Sequence, residues 1–229
     1  MDIKAENITV TIEGKDVLKG QSVHATPGET LAFVGPSGCG KTTLLNVLGL
    51  LRRVDGGQVH VGGRDATRWD DRRRRRFWQQ HAAFVFQDYG LIDEESVEYN
   101  VALSQMPIFG LVKRHRAGIE SALDRVGLVG RAGEKVSTLS GGEKQRVGLA
   151  RAMFRSADVI FADEPTASLD LDNRNLVTLF LQEEAARGAA VIIATHDEAL
   201  IKACDVSLRL GSAVVAKPRL ANPAEGYSD

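Results

Sequence analysis

The chain has 229 residues, a formal net charge of −1 and 43% hydrophobic residues, which is enough for one large domain or two small ones. Because this balance creates no overall positive field, it argues against a nucleic-acid partner. No apolar run approaches the roughly 18 residues of a membrane-spanning helix, and the start lacks the pattern of a secretory signal. Two cysteines, Cys39 and Cys204, indicate no disulfide framework and favour a reducing cytosol. We therefore expect a cytoplasmic protein that takes part in membrane processes only through a partner.

The N-terminal segment predicts short strands separated by turns. Ile8–Ile12 has a strand pattern and is followed by a turn at Glu13–Lys15. The strand pattern resumes at 17–18 and again at Thr30–Val34. Such runs, bounded by glycine and polar residues, are typical of strands joined by tight connections.

The next segment, Gly35–Thr42, fits the phosphate-loop pattern G-x-x-x-x-G-K-[ST] between a strand and a helix-like run. Glycines let the backbone curl so that successive N–H groups face one anion, and the start of the helix adds positive charge. Lys41 would reach the β- and γ-phosphates, and the Thr42 hydroxyl would ligate Mg²⁺. The residues expected around a nucleoside triphosphate are Gly35, Pro36, Ser37, Gly38, Cys39, Gly40, Lys41, Thr42 and Thr43.

Residues 66–81 predict a polar helix that carries five consecutive arginines, Arg72–Arg76. A run of like charges is usually a solvated helix face. The alternative is contact with anionic lipid at a cytoplasmic membrane leaflet, where each basic residue gains about 1 kcal/mol. The sequence leaves both interpretations open and gives no support to nucleic-acid binding.

The remainder of the chain predicts an α/β core that contains a helical segment. Its strand candidates are continuously apolar, as expected for a parallel sheet covered on both faces. In chain order, the predicted elements are a strand at 82–86, a helical segment at about 88–138, a strand at 158–162, a helix at 173–187, a strand at 189–194 and a helix at 198–203.

Two acidic residues, Asp163 and Glu164, emerge where the strand at 158–162 ends. Open α/β sheets bind ligands at the carboxyl ends of their strands. Asp163 would hold Mg²⁺, and Glu164 would act as the general base that polarises the attacking water. A strand that ends in two acids is common in itself, so this interpretation depends on the phosphate loop.

The segment Leu139–Gln145, LSGGEKQ, predicts a helix start with a capping box, in which Ser140 is the N-cap and Glu143 follows three residues later. This cap explains the serine and the glutamate structurally. It leaves Gly141 and Gly142 unexplained, and their N–H groups at a helix start suit an anion.

Together these motifs resemble the ATP-binding cassette (ABC) ATPase family, and the resemblance covers nearly the whole chain. The segments that carry it are the phosphate loop, Gln87, LSGGE, VIFADEP at 159–165, Ser168–Asp170 and Thr195–Asp197. It implies a P-loop NTPase (RecA-like) α/β core with an N-terminal antiparallel β subdomain. It also implies one nucleotide-binding domain over 1–229, with a helical ABC-specific subdomain inserted at about 88–138, and ATP and Mg²⁺ as cofactors.

The resemblance further implies roles for individual residues. Gln87 matches the glutamine that contacts Mg²⁺ and the attacking water and senses the membrane partner. Ser140, Gly141, Gly142 and Glu143 lie in the signature loop, whose serine and glycines close over the γ-phosphate of the opposite subunit. Asp170 would connect the two sites of a dimer, and His196 would contact the γ-phosphate. The implied catalytic set is Lys41, Gln87, Glu164 and His196, and the implied Mg²⁺ set is Thr42, Gln87 and Asp163.

Two positions depart from the family pattern. Glu143 replaces the usual glutamine, a familiar variant that also suits the capping box. Ile12 stands where the family places an aromatic residue that stacks on adenine. An aliphatic side chain lacks that stacking, which is worth about 1–3 kcal/mol per base in nucleic-acid proteins, so we expect modest ATP affinity and loose base selectivity.

A Ser-Gly-Gly helix start and a phosphate loop in one chain give two anion-binding elements. In a two-fold homodimer, the Ser-Gly-Gly helix start of each subunit would face the phosphate loop of the other, so that both elements are used. ATP would then favour the closed dimer through its higher affinity for that state.

The segment that follows Gln87, residues 88–100, is similar to ATPases of small bacterial exporters in the macrolide-export and lipoprotein-release group. This implies a homodimer, peripheral on the inner face of the cell membrane, that works with separate transmembrane permease subunits. Peptides, lipoproteins, antibiotics and haem are the candidate cargoes. The alternatives are an ABC-type signalling ATPase of a cell-division complex and a soluble ABC ATPase that acts on ribosomes or DNA.

Overall fold

The structure, a computed structural model, describes residues 1–86, 88–103, 112–167 and 169–211. The nine strands are β1 (Ile3–Ile12), β2 (Lys15–Ala25), β3 (Thr30–Val34), β4 (Gly56–Val61), β5 (Arg64–Asp65), β6 (Ala82–Val85), β7 (Val159–Asp163), β8 (Ala190–Ala194) and β9 (Val206–Arg209) within these ranges. The helices in the same ranges are α1 (Lys41–Leu48), α2 (Asp71–Gln80), α3 (Val97–Ala102), α4 (Val112–Arg125), α5 (Gly141–Arg155), α6 (Leu171–Ala186) and α7 (Glu198–Ala203).

The N-terminal strands form a four-stranded antiparallel sheet in the order β2-β1-β4-β5. A tight turn joins β1 to β2, and both Glu13 and Gly14 adopt positive φ there, 48° and 73°. Ile8, Val10 and Leu18 are buried on the inner face of this sheet. The predicted N-terminal antiparallel subdomain is therefore confirmed.

The second sheet has five parallel strands in the order β6-β7-β8-β3-β9. Its central strands are buried on both faces, which explains their unbroken apolar sequences. Because successive side chains point to opposite faces, the sheet divides the core in two. Phe161 and Ile192 pack with α1 and the N-terminal sheet, whereas Ile160 and Ile193 pack with α5 and α6.

The predicted helical segment at 88–138 contains α3, α4 and a short 3₁₀ turn at Val136–Thr138. Both α3 and α4 pack against α5. The predicted helical character of this segment is confirmed by these elements, whereas its boundaries as an inserted subdomain stay a prediction.

The arginine-rich helix is shorter than the predicted 66–81. It begins at Asp71 because the Asp70 side chain accepts a hydrogen bond from the Arg73 N–H at 2.8 Å and caps the helix there. The preceding residues turn instead, with the Ala66 N–H bonded to the Val59 carbonyl. Within the described ranges, no helix is long and apolar enough to span a bilayer.

Candidate functional site

The sheet order places the carboxyl ends of three strands side by side. Strands β7, β8 and β3 are neighbours, and Ala194 at the end of β8 pairs with Asp163 on one side and Phe33 on the other. The phosphate loop follows β3, the acidic pair ends β7, and Thr195 and His196 follow β8. Segments that are far apart in the sequence therefore share one edge of the sheet, where open α/β sheets bind ligands.

The phosphate loop is held tightly against the N-terminal hairpin. Gly40, the N-cap of α1, has a φ of 96°, and a Cβ there would lie 2.8 Å from the Cδ2 of Leu18 and 3.1 Å from the Val17 carbonyl oxygen. Only glycine fits this backbone and this space. No side chain caps α1, so its first N–H groups stay available for an anion.

Lys41 lies under the loop that it follows. Its side chain is nearly buried, and its ammonium donates to the carbonyl oxygens of Gly35 at 2.9 Å and Pro36 at 3.3 Å. These bonds hold a positive charge beside the loop's N–H groups. The arrangement suits a phosphate group that offers several oxygens to one cationic site.

Thr42 and Asp163 meet directly, with the Thr42 hydroxyl donating to a carboxylate oxygen of Asp163 at 3.0 Å. Burial raises the pKa of Asp163, an effect that the Thr42 hydrogen bond and the Lys41 charge oppose. A hydroxyl and a carboxylate held together are the hard oxygen donors that Mg²⁺ prefers. These residues therefore fit the predicted Mg²⁺ site, in which they would be the protein ligands.

Glu164 and His196, predicted separately, are in contact. Nδ1 of His196 lies 2.9 Å from Oε2 of Glu164, and the same oxygen accepts from the Thr195 hydroxyl at 3.1 Å and the His196 N–H at 3.3 Å. The Glu164 side chain is only 15% exposed, whereas that of His196 is 73% exposed. The residues that follow β8 thus hold the Glu164 carboxylate in place, whereas the His196 imidazole stays exposed to solvent.

The signature loop forms the predicted capping box. The Ser140 hydroxyl accepts from the Glu143 N–H at 3.3 Å, and a Glu143 carboxylate oxygen accepts from the Ser140 N–H at 2.8 Å. Arg131 adds an ion pair to Glu143 at 2.9 Å. These partners, with the Ser140 N–H contributing most, lower the pKa of Glu143 to about 2.

The first N–H groups of the signature helix have no acceptor within the helix. Gly141 and Gly142 occupy the first two positions of α5, where N–H groups have no intrahelical partner. Among the residues with described side chains, Ser140 and Glu143 make hydrogen bonds to each other and to Arg131, and none reaches the phosphate loop. Within one chain, no described hydrogen bond joins the signature loop to the phosphate loop, and anion binding by the signature loop stays a prediction.

Asp170 has a clear structural task. It is the N-cap of α6, and its carboxylate accepts from the Asn173 N–H at 2.8 Å and from the Asn173 side-chain amide at 2.9 Å. The backbone hydrogen bond from Asn173 is the main cause that lowers the pKa of Asp170. This cap alone accounts for an aspartate here, and the communication between sites stays a prediction.

Three side chains of α5 hold other loops of the site and were missed by sequence reasoning. Gln145 donates to the Pro165 carbonyl at 2.9 Å, directly after Glu164. Arg146 donates to the Asn173 side chain at 2.8 Å, beside Asp170. Arg151 donates to the carbonyls of Tyr89 at 2.9 Å and Gly90 at 2.6 Å. The available signal was polar residues placed between buried positions of a helix.

One polar atom of Arg146 has no hydrogen-bond partner. Its Nε is buried and unpaired, which holds for no other buried side-chain nitrogen or oxygen in the described part of the chain. The Asn173 amide is also close to the signature loop, since a Cβ added to Gly142 would lie 3.3 Å from its Nδ2. Asn173 therefore stands between the signature helix and Asp170.

Two predicted site residues remain to be placed. Ile12 ends β1 opposite Lys15 and is half-buried, on the same hairpin whose Leu18 abuts Gly40. Its contact with adenine stays a prediction. Gln87 lies outside the described residues, as does Ser168, although Gln87 comes directly after β6 and Phe86.

Comparison with known proteins identifies the family to which this fold belongs. The profile described as ABC transporter matches residues 18–167. The chain belongs to the ABC transporter family. This cassette superposes on the dimeric post-hydrolysis structure of the ATP-binding cassette MJ0796 bound to ADP and Pi with a TM-score of 0.83 at 28% identity, covering 91% of this chain and 94% of that one. The predicted P-loop NTPase fold is thereby confirmed.

Its relatives include both stand-alone and fused cassettes. The lipoprotein-releasing system ATP-binding protein LolD of Bacteroides fragilis is 39% identical over 91% of this chain and 97% of its own length. The macrolide export ATP-binding/permease protein MacB of Burkholderia thailandensis is 40% identical over 80% of this chain but only 28% of its own length. The cassette is accordingly an ATPase of the exporter-type group, with ATP and Mg²⁺ as its cofactors.

The Glu143 carboxylate should stay ionised at unusually low pH. Because its folded pKa of about 2 lies below the ordinary 4.5, its contribution to stability is present above pH 4.5 and is lost as the pH falls towards 2. An NMR titration should find Glu143 still ionised at about pH 4. Ser140→Ala, which removes the hydroxyl but keeps the N–H donor, and Arg131→Met, which removes the ion pair, should each raise the pKa. A titration midpoint near 4.5 in the wild type would contradict the capping network.

Asn173→Ala should destabilise the cassette by about 1–3 kcal/mol, because it removes the hydrogen-bond acceptor of the half-buried Arg146 guanidinium. It should also lower the ATPase rate per folded molecule, since the link between α5 and Asp170 is lost. The matched control is Asn175→Ala, an exposed asparagine on the same helix. Equal free energies of unfolding for the two variants, measured by chemical denaturation, would show that the link contributes nothing.

Proposed function

We propose that this cassette works as a homodimer that drives a separate transmembrane permease, in a transporter that exports or releases a lipoprotein, peptide, antibiotic or haem cargo. The observation that carries the proposal is the alignment with LolD, named for a lipoprotein-releasing system, over 97% of that relative. MacB, in which an ATP-binding and a permease part share one chain by name, aligns over a much smaller share. Among the candidate cargoes, lipoprotein is the one that the LolD alignments favour.

In this proposal, each of the residues at the sheet edge has a separate role in ATP hydrolysis. The N–H groups of the phosphate loop and the Lys41 ammonium bind the phosphates. Thr42, Asp163 and Gln87 would hold Mg²⁺, which supplies charge neutralisation at the β- and γ-phosphates. Glu164 takes the proton of the attacking water. His196, in contact with Glu164 and exposed to solvent, would face the γ-phosphate.

The homodimer follows from the unpaired anion-binding elements. The signature loop contacts no part of its own phosphate loop among the described hydrogen bonds, so a second copy can complete the site. Dimeric structures of the MJ0796 cassette support this arrangement. ATP between the two copies would favour the closed state by its differential affinity, and hydrolysis would remove that bias.

A permease contact is supported by a partly apolar groove of about 280 Å³ beside Phe86. Phe86 stacks on Phe84 with ring centroids 5.6 Å apart, and Trp78 anchors the rim through a hydrogen bond to the Gly49 carbonyl at 2.8 Å. We propose that a short helical segment of the permease packs here, as helices do in apolar grooves. The cassette would then be peripheral on the inner face of the membrane.

Glu164→Gln should lower ATP turnover about 10²–10⁴-fold, the usual effect of removing a general base, and should leave ATP binding intact. ATP should convert this variant from monomer to dimer, because the closed state is no longer released by hydrolysis. Light scattering after size exclusion, with and without ATP, measures this directly. Glu120→Gln, on the exposed surface of α4, should behave as wild type.

Two results would contradict these assignments. Near-normal turnover of Glu164→Gln would contradict the assignment of Glu164 as the general base. A variant that stays strictly monomeric with ATP bound would contradict the homodimer.

Gln79→Asp should weaken the permease contact, because it places a charge on the exposed rim of the groove. The measurement is the amount of permease that co-purifies with the tagged cassette from solubilised membranes. Asn175→Asp introduces the same charge on α6 and should leave co-purification unchanged. A permease recovered equally with both variants would place its contact elsewhere, and recovery of ribosomes or division proteins instead would contradict the transport role.

A further inference from the structure

The arginines of this chain are concentrated in one segment. Residues 52–76 contain nine arginines, four aspartates and no lysine or glutamate, whereas the whole chain has a formal net charge of −1. The rest of the molecule is therefore net acidic. This asymmetry creates a local positive field on a molecule that has none overall.

Three of the four aspartates of the segment accept hydrogen bonds from backbone N–H groups, and the fourth pairs with an arginine outside α2. Asp55 accepts from the Thr11 N–H at 2.7 Å, Asp65 from the Thr67 N–H at 2.9 Å, and Asp70 caps α2. Asp71 lies 3.7 Å from Arg53. Within the described part of the chain, no carboxylate comes within 4.0 Å of the guanidinium groups of Arg64, Arg73 and Arg76, and all three residues are exposed.

These three arginines line one cleft of about 790 Å³ between α2 and the N-terminal sheet. Arg73 and Arg76 lie one turn apart on α2, and Arg64 faces them from β5. Apolar side chains line the same cleft: Met1 and Trp69 are half-buried, and Val61 and Phe77 are buried. We call this site the arginine cleft.

Its chemistry matches a phosphate ester joined to an apolar group. Guanidinium groups bind phosphate oxygens in pairs, and they are less strongly hydrated than lysine ammonium groups. Tryptophan beside basic residues is typical of sites at a membrane–water interface. Asp65, whose pKa is lowered by hydrogen bonds from Thr67, is the one carboxylate among the cleft residues and leaves them net positive.

We propose that the arginine cleft binds the phosphodiester headgroup of an anionic phospholipid at a membrane surface. The exposed arginines of α2 outside the cleft, Arg72 and Arg75, extend the positive surface and suit a plane of charged headgroups. Nucleic acid is less favoured, because the acidic remainder of the chain would repel a long polyanion. The contact would be independent of the permease, so the inference goes beyond the proposed function and does not rest on it.

The test uses the whole chain and vesicles of phosphatidylcholine, with and without phosphatidylglycerol. Wild type should co-sediment with the phosphatidylglycerol vesicles only, and less at high salt. The triple variant Arg64→Gln, Arg73→Gln and Arg76→Gln should partition about a hundredfold more weakly, given the gain per basic residue near a charged surface. Its ATPase activity should equal that of wild type, which reports that the fold is intact.

The matched control is Lys15→Gln, Lys19→Gln and Lys202→Gln, which removes the same charge from exposed positions elsewhere. Equal loss of partitioning in both triple variants would overturn the cleft as the site. Displacement of the protein from vesicles by millimolar inorganic phosphate would indicate that the cleft binds free phosphate and would overturn the proposal of a lipid ligand. Tighter binding of single-stranded RNA than of vesicles, lost in the arginine variant, would overturn it in favour of nucleic acid.

Discussion

The site depends on the hydrogen-bonded alignment of three parallel strands, β7, β8 and β3. The Glu164 N–H donates to the Ala194 carbonyl at 2.8 Å, and the Thr195 N–H donates to the Phe33 carbonyl at 3.3 Å. These two bonds continue the sheet ladder just beyond the strand ends, so the acidic pair, the histidine and the phosphate loop are fixed relative to one another by the backbone. Burial of the central strands on both faces prevents any slip of this register, because a shift by one residue would exchange the two halves of the core.

Helix α5 extends this backbone frame to the parts of the site that no strand holds. It begins at the signature loop and bonds to the loop after Glu164, to Asn173 beside Asp170 and to the segment that follows residue 87. Its apolar face is buried with α3, α4 and the sheet. A movement of the signature loop would therefore be transmitted to the acidic loop and to Asp170 through short polar contacts on a rigid helix. In the proposed dimer, these contacts would connect the signature loop that each chain presents to its partner with the acidic residues of its own site.

The charge of the cassette is unevenly distributed over its surface. Asp55, Asp65 and Asp70 accept hydrogen bonds from backbone N–H groups and form no ion pair with the nearby arginines among the described residues. The outcome is a positive cleft on one side of a chain that is slightly acidic overall. Together with the partly apolar groove beside Phe86, it gives the molecule two distinct surfaces, one partly apolar and one cationic, for the partners proposed above.

The sequence by itself determined the elements whose chemistry is local. The phosphate loop, the capping box of Ser140 and Glu143 and the unbroken apolar strands were readable because a few adjacent residues impose each of them, and the order of motifs indicated the family. Only the tertiary structure decided which distant residues meet. The contact of Glu164 with His196, the hydrogen bond of Thr42 to Asp163, the loops held by Gln145, Arg146 and Arg151, and the convergence of Arg64 with Arg73 and Arg76 all depend on sheet order and helix packing. The helix at 71–80 also began later than its pattern predicted, because the preceding residues bond to β4. Long-range pairing selects these contacts, and no local pattern encodes it.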